Sequence, residues 1–373
     1  MFKTALKFLW FDKAKSFGAL SGVILSVFLV GQQAGIFIFL TNAMCSVARN
    51  NPNYIWVVDE KTENVSALGP LDVRLQREIE SIQGVKSVSP LVLAGASAKF
   101  SNGTTAGVTL VGVQQPGYAG GPWNIYKGKK ELLQQEGAVF TDFFDVKALG
   151  GVKPGEYFEI NGKKVFNAGQ TKGVRSFGGG VYVFCPIERA RAIGKFGNNK
   201  VSALLIKWDD AIGKEEVVRR INTHIRGVRA WSSEDLAKAT VITVLKTSGI
   251  AISFGTLIFF ALIVGFVIIG LTLYSAAIDR IKDYGTLKAI GANNGYITRL
   301  ILMQALLVAV VGFIIGTGLV EAFRNGIANA GTIFDFPLWL RGVFFGVTML
   351  IAIFGSIFAI RRITGLEPAA VFR

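Results

Sequence analysis

Four stretches of the chain, 17–40, 250–277, 300–320 and 338–360, are almost wholly apolar and each reaches the length that a lipid bilayer demands. A hydrocarbon core about 30 Å thick takes roughly 20 helical residues to cross. The first stretch is followed by Asn42, Ala43, Met44 and Cys45, which raises the question of a cleaved lipoprotein leader. The apolar run is too long for a signal-peptide core, and Asn42 and Met44 suit the cleavage site poorly, so the segment reads as an uncleaved anchor. Ahead of it, Phe2, Ala5, Leu6, Leu9 and Trp10 recur at helical spacing among Lys3, Lys7, Lys13 and Lys15. Such a pattern predicts either an amphipathic helix in the membrane interface or a plain basic flank that sets topology.

Between the first two stretches the pattern changes to short alternating runs punctuated by turns, as in a folded α+β domain. It predicts a strand over 54–59, a helix over 71–82 with Leu71, Leu75, Ile79 and Ile82 on one face, and a strand over 85–90. The same order returns near the far end as a strand over 201–208, a helix over 214–225 and a strand over 228–231. A middle portion, mainly β, separates these two units; Asn161-Gly162 in it suits a tight hairpin turn. The expectation is a domain of two lobes, one formed by the meeting ends and one by the middle. Ser232 and Asp235 then make a helix start of the capping-box kind. No proline follows before Arg280, which predicts one helix of about 45 residues, close to 70 Å long. That helix would project as a stalk beyond the membrane, with Ser248-Gly249 the place for a break.

The composition fits this reading: 51% of the residues are hydrophobic, 17% are charged, and the net charge is +15. That positive charge does not mark a nucleic-acid binder, because its position matters more than its sum. Of the basic residues near the spans, Lys3, Lys7, Lys13, Lys15, Arg280, Lys282, Lys288, Arg299, Arg361, Arg362 and Arg373 fall on one side; Arg324 and Arg341 fall on the other. The rule that basic flanks stay in the cytoplasm then puts both termini inside and the large insert outside. The divisions expected are 1–16 interfacial helix, 17–40 first span, 41–247 extracytoplasmic domain and stalk, and 248–277 second span. A cytoplasmic segment follows at 278–299, then the third span at 300–322, an external loop at 323–337, the fourth span at 338–361 and a tail at 362–373.

Candidate chemistry is sparse. Cys45 and Cys185 match no metal spacing and leave a single disulfide open. The lone histidine, His224, sits on a polar helix face and reads as a surface residue; no metal site and no catalytic constellation are expected. Gln32 and Gln33 lie near mid-span, where a polar side chain seeks a partner across a helix interface, in a dimer or within one subunit. Glycines 178, 179 and 180 follow Arg175 and Phe177, either as a loop that meets cargo or an adaptor or as an ordinary connection before a strand.

Between the second and third spans, Arg280, Lys282, Asp283, Tyr284, Gly285, Leu287, Lys288, Ile290 and Gly291 form a short helical stretch with apolar residues among charges, built like a docking element. This stretch resembles the cytoplasmic coupling segment of FtsX/MacB-type ABC transporter permeases, matching at Arg280, Gly285, Leu287, Lys288, Ala289, Gly291 and Ala292. It carries Asp283-Tyr284 where the family usually has a glutamate directly before the glycine. The ending Gly365-Leu366-Glu367-Pro368-Ala369-Ala370-Val371-Phe372-Arg373 resembles the family's closing motif, with Val371-Phe372 as a departure. Gly31-Gln32-Gln33 and the size of the insert are nearest the DevC-like branch.

The resemblance implies an α-helical membrane protein with four transmembrane helices and a large α+β extracytoplasmic domain, of the MacB periplasmic core type, between the first and second. It implies a non-catalytic homodimer in a bacterial inner membrane that works with two copies of a separately encoded ATPase, which would bind the ATP and magnesium. The absence of a Gly-x-x-x-x-Gly-Lys-Ser/Thr phosphate loop from this sequence agrees. The family transmits motion across the membrane, to drive export of lipid, peptide or hydrophobic cargo through a membrane-fusion adaptor and a TolC-like outer-membrane duct. The alternative is a relay that transports nothing and switches an external cell-wall hydrolase.

Overall fold

A computed structural model describes residues 5, 10, 13–177, 180–329, 331, 332, 334 and 336–365. Most of the expected interfacial helix and the closing motif from Leu366 onward lie outside these residues. In chain order the elements are α1 (Lys13–Met44), α2 (Ser46–Arg49), β1 (Ile55–Asp59), β2 (Leu71–Asp72), α3 (Leu75–Glu80), β3 (Val85–Lys99) and β4 (Thr105–Val113). Next come β5 (Ile125–Lys127), β6 (Ala138–Asp142), β7 (Tyr157–Ile160), β8 (Lys163–Thr171), β9 (Val181–Pro186), α4 (Ile187–Gly194), β10 (Lys200–Val201), β11 (Ala203–Trp208) and α5 (Lys214–His224). The chain closes with β12 (Val228–Ser232), α6 (Ser233–Ser248), α7 (Ile250–Asp279), α8 (Ile281–Ala289), α9 (Asn294–Ala328) and α10 (Leu338–Thr364). It divides into two compact units, one of Met1–Ile38, Ile250–Ala328 and Ile333–Arg373, the other of Phe39–Gly249 and Asn329–Thr332.

The first unit holds α7, α9, α10 and most of α1, the four helices long and apolar enough to cross a membrane. Lipid offers no hydrophobic drive for helices to associate, so close backbone approach through small residues has to supply it. Gly312 and Gly316 of α9, four apart on one face, provide it here: a Cβ on either would come within 2.5 Å of Val23 or 2.8 Å of Val27 on α1. Ser26 of α1 donates across to the Ala261 carbonyl of α7 at 3.1 Å. Charges near the end of α9 and the start of α10 are paired, with Glu321 accepting from Arg324 and, at 3.3 Å, from Arg341. Large apolar residues such as Phe259, Leu271, Ile314 and Phe354 stay on the outside of the unit, where acyl chains would cover them.

The second unit is organised around a ten-stranded mixed sheet in the order β12-β1-β11-β3-β4-β9-β6-β8-β5, with β7 pairing β3 and β8. The two ends, alike in element order, interleave: β1, α3 and β3 form one βαβ unit, β11, α5 and β12 the other, and β11 lies between β1 and β3. Because side chains alternate along a strand, β1 is buried on both faces. Ile55 and Val57 pack with Ile79 and Ile221 of α3 and α5, while Trp56 and Val58 pack with Val47 of α2 and Leu236 of α6. Each fully buried side chain of this size contributes about 1.5–3 kcal/mol. The Asn161-Gly162 turn joins β7 to β8 with φ of 47° and 78°, the left-handed pair that a type I′ hairpin requires.

Two expectations are corrected, and the two-lobed domain takes a more specific form. The two lobes share one sheet, because β3 runs for 15 residues and pairs with β11 at one end and β4 and β7 along the rest. The helix expected over 71–82 is only Leu75–Glu80; Leu71 and Asp72 pair in extended form with Val201 and Lys200. Asp72 holds that turn, its carboxylate accepting from the Arg74 N–H at 2.9 Å. The second correction is to the stalk. Its start is as expected, with Ser232 accepting from the Asp235 N–H at 3.1 Å, but the helix ends at Ser248. Gly249 takes φ of 67°, a left-handed conformation that glycine adopts without steric cost, and α7 begins afresh at Ile250.

Candidate coupling surface

Helix α8 stands between the second and third spans, with Arg280 before its first turn and Gly291, at φ of 101°, after its last. Its inward face follows the i, i+3, i+4, i+7 spacing of a helix laid against a core. Ile281 and Lys288 are half-buried, and Tyr284 and Gly285 are buried. The Tyr284 ring packs among side chains of the bundle, including Ile297, Leu300 and Ile363. Its hydroxyl lies 3.5 Å from Gln304 Oε1 on α9. Burial pushes the phenol above its ordinary range, so it stays protonated and able to donate. Lys288 Nζ donates to the Thr364 carbonyl at 2.8 Å, so its charge occupies the carboxyl end of α10, where a helix favours a cation.

The outward face is Lys282, Asp283, Thr286, Ala289 and Ile290, all exposed. Ile290 is 77% exposed, an apolar knob directly after the helix with charged Lys282 and Asp283 on the same element. Leu287 is half-buried against the same cluster as Tyr284. The nine residues singled out from the sequence therefore separate into anchors (Ile281's neighbours Tyr284, Gly285, Leu287 and Lys288) and a presented surface, with Arg280 half-buried at the junction. Gln304, absent from the sequence reading, completes the anchor; a polar residue within an apolar span was the signal for it.

The other sequence-predicted residues lie elsewhere. Gln32 and Gln33 are half-buried on α1, and their side chains make no hydrogen bond among the described residues. Arg175 is built into the external unit: its guanidinium pairs with Asp145 and donates to the Gly331 carbonyl at 3.1 Å, and its own carbonyl accepts from Ser46 at 2.7 Å. Asp145, the partner of Arg175, was not singled out from the sequence. Burial pushes its carboxyl up to about 6, and nearby Asp142 adds to the shift against the lowering effect of Arg175. Phe177 is half-buried in a turn, Gly180 precedes β9, and Gly178 and Gly179 lie outside the described residues.

Cys45 and Cys185 are free and sit in separate buried clusters. His224 is exposed at the end of α5, its Nδ1 2.7 Å from the Arg220 carbonyl. No group of three or more histidine, cysteine or acidic side chains converges as a metal site among the described residues.

Comparison with known proteins bears on the same region. Residues 255–368 match the C-terminal domain of FtsX-like permeases. No curated protein matches the chain in sequence. Among solved structures, the extracellular domain of a noncanonic ABC-type transporter, YknZ, from Gram-positive bacteria aligns at 18% identity and a TM-score of 0.35, covering 48% of this chain and 98% of that one. The periplasmic region of MacB from Actinobacillus actinomycetemcomitans aligns at 11% identity and a TM-score of 0.38, covering 53% of this chain and 95% of that one. Over residues 255–368, which hold most of the second span, helix α8 and the two spans that follow, this multi-pass membrane protein carries a match to the FtsX-like permease C-terminal domain.

Proposed function

We propose that this chain is the membrane subunit of an ATP-driven ABC-type export system, and that α8 is where a separately encoded ATPase grips it. The observation that carries the reading is the division of α8 into an anchored face and a presented one. Tyr284, Gly285 and Lys288 fix the helix to the bundle, and Ile290, Lys282 and Asp283 face away from it. An exposed apolar side chain between charges fits a small, specific protein contact better than a solvated loop. Closure of two ATPase copies around ATP and magnesium would then displace α8, and the displacement would pass through the spans to the external unit, acting on cargo outside the inner membrane. Gln32 and Gln33 are assigned to the contact between two copies of the chain, since their side-chain amides find no hydrogen-bond partner among the described residues of one copy.

The deciding experiment is affinity purification of the tagged full-length protein from its native membrane in mild detergent, with mass spectrometry of accompanying proteins and lipids. Wild type should bring down an ATPase, an adaptor and a TolC-like duct; co-purifying lipid or glycolipid would identify cargo of the DevC-like kind. Ile290→Asp should insert normally yet lose the ATPase, a reduction of tenfold or more for about 1.4 kcal/mol or more of lost contact energy. Retention of the ATPase by this variant would refute the assignment of α8. An ATPase accompanied by a cell-wall hydrolase and no adaptor would replace export with signal relay.

A further inference from the structure

One face of the external unit combines exposed rings with lysines, and nothing in the coupling mechanism uses it. Residues 124–131, which contain edge strand β5, are all exposed; Ile125 is 37% and Tyr126 47% exposed. Phe143, 39% exposed, meets Tyr126 edge-on with ring centroids 5.2 Å apart. Lys127, Lys129 and Lys130 are all exposed on the same segment. Lys172 stands over the group, its Nζ 5.0 Å from the Tyr126 ring and 5.4 Å from that of Phe143.

Lysines on an edge strand are a common guard against unwanted strand pairing. That role accounts for the charge and leaves the uncovered Ile125, Tyr126 and Phe143 unexplained. Rings that present an apolar body beside ammonium groups are instead the chemistry of a bilayer surface, where the rings settle among headgroups and lysines meet phosphates. The patch is also tied to chain that borders a span. Beside Phe143, the Cβ of Phe144 lies so close to Gly331 that a side chain there would meet it at 2.6 Å, and Arg175 holds the Gly331 carbonyl at 3.1 Å. Gly331 follows the end of α9 by three residues, a reach of at most about 11 Å in any conformation.

We propose that Tyr126, Phe143, Lys127, Lys129, Lys130 and Lys172 form a membrane-surface site that binds the headgroups of anionic phospholipids. The rings supply shallow apolar insertion and the lysines a charge field matched to a negatively charged leaflet. Through this contact the external unit reads the lipid composition beside it.

The test uses the full-length protein in nanodiscs of phosphatidylcholine alone or mixed with phosphatidylglycerol, each carrying a headgroup spin label. A fluorophore is attached at Ile125→Cys and, as a control at the far end of the sheet, at Asp210→Cys. Both native thiols are buried and do not compete, that of Cys185 being pushed up to about 12. Quenching at position 125 should exceed that at 210 several-fold when phosphatidylglycerol is present and weaken with salt. Lys127→Gln, Lys129→Gln and Lys130→Gln together should cut that excess about fivefold or more, as each lysine is worth roughly that factor on an anionic surface. An unchanged thermal midpoint in the triple variant shows that the fold is intact. Equal quenching at the two positions, or quenching indifferent to phosphatidylglycerol or to the triple substitution, overturns the proposal. So does displacement by inorganic phosphate beyond that of sodium chloride at equal ionic strength, which would indicate a single-phosphate pocket instead.

Discussion

The chain passes between its two units through helical junctions of opposite build. At the first, α1 continues across the boundary between Ile38 and Phe39 and stays helical to Met44. At the second, α6 stops at Ser248, Gly249 turns left-handed, and α7 starts at Ile250, the first residue of the other unit. A continuous helix transmits bend and twist through its ladder of backbone hydrogen bonds. A left-handed residue interrupts that ladder and leaves its two neighbours free to reorient about φ and ψ. No neighbouring atom lies within 4 Å of where a Gly249 side chain would project, so packing does not impose the break. The difference teaches that, of the two helical junctions, only the second is interrupted, and that the interruption rests on one residue.

Breaking the continuous junction should have the largest effect. Phe39→Pro removes a helix hydrogen bond and clashes with the preceding turn, costing about 3 kcal/mol or more. A fall in the thermal midpoint of the purified protein and in the yield of inserted protein would register it; an unaffected midpoint would mean that α1 tolerates interruption there as the second junction does.

A third passage between the units is the loop Asn329–Thr332, which the external unit holds through Arg175 and its partner Asp145. Because burial raises the Asp145 carboxyl to about 6, the fold favours its protonated form. The contribution is fully present below about pH 4, the range of an unfolded aspartate, and is lost as pH rises through about 6. Asp145→Asn should therefore flatten the pH dependence of the thermal midpoint between those values, and an unaltered profile would place the titration elsewhere.

The smallest effects belong to the second junction. Gly249→Val should cost about 1–2 kcal/mol for holding an ordinary residue left-handed, and Gly249→Asn less, since asparagine tolerates that region. Hydrogen exchange at residues 250–253, whose N–H groups begin α7 without partners in the preceding turn, distinguishes strain from repair. Faster or equal exchange in Gly249→Val means that the break persists; strong new protection means that α6 and α7 have fused and that the glycine created the junction.

The spans, the capped start of α6, the Asn-Gly hairpin and the interleaved βαβ ends were legible because each rests on local chemistry: a 20-residue apolar run, a serine with an acid three on, a turn pair, a repeating element order. Leu71, Leu75, Ile79 and Ile82 do enter one buried cluster, yet only the latter part of that segment is helical. Helical spacing of apolar residues cannot reveal that Asp72 will turn its carboxylate onto the Arg74 backbone. The single sheet was hidden because β3 joins the halves through pairings with strands more than 100 residues away at one end. Along α8 the motif located the segment but did not say which apolar residue packs inward. Leu287 and Ile290 look alike in sequence, and only the Tyr284-Gly285 pair, at i+3 and i+4 from Ile281, indicates the seam that hides one and leaves the other out.

The pinning of α8 has a mechanical consequence. A helix attached at one end only would behave as a spring, absorbing part of any push in its own deflection. Tyr284 wedged into the bundle and Lys288 fastened to the Thr364 carbonyl at the end of α10 make it a bracket with two bolts, so a load applied at Ile290 would reach α9 and α10 together. If the proposed partner grips α8, the stroke available to the rest of the molecule would be set by how far that partner moves, and not by the compliance of the handle.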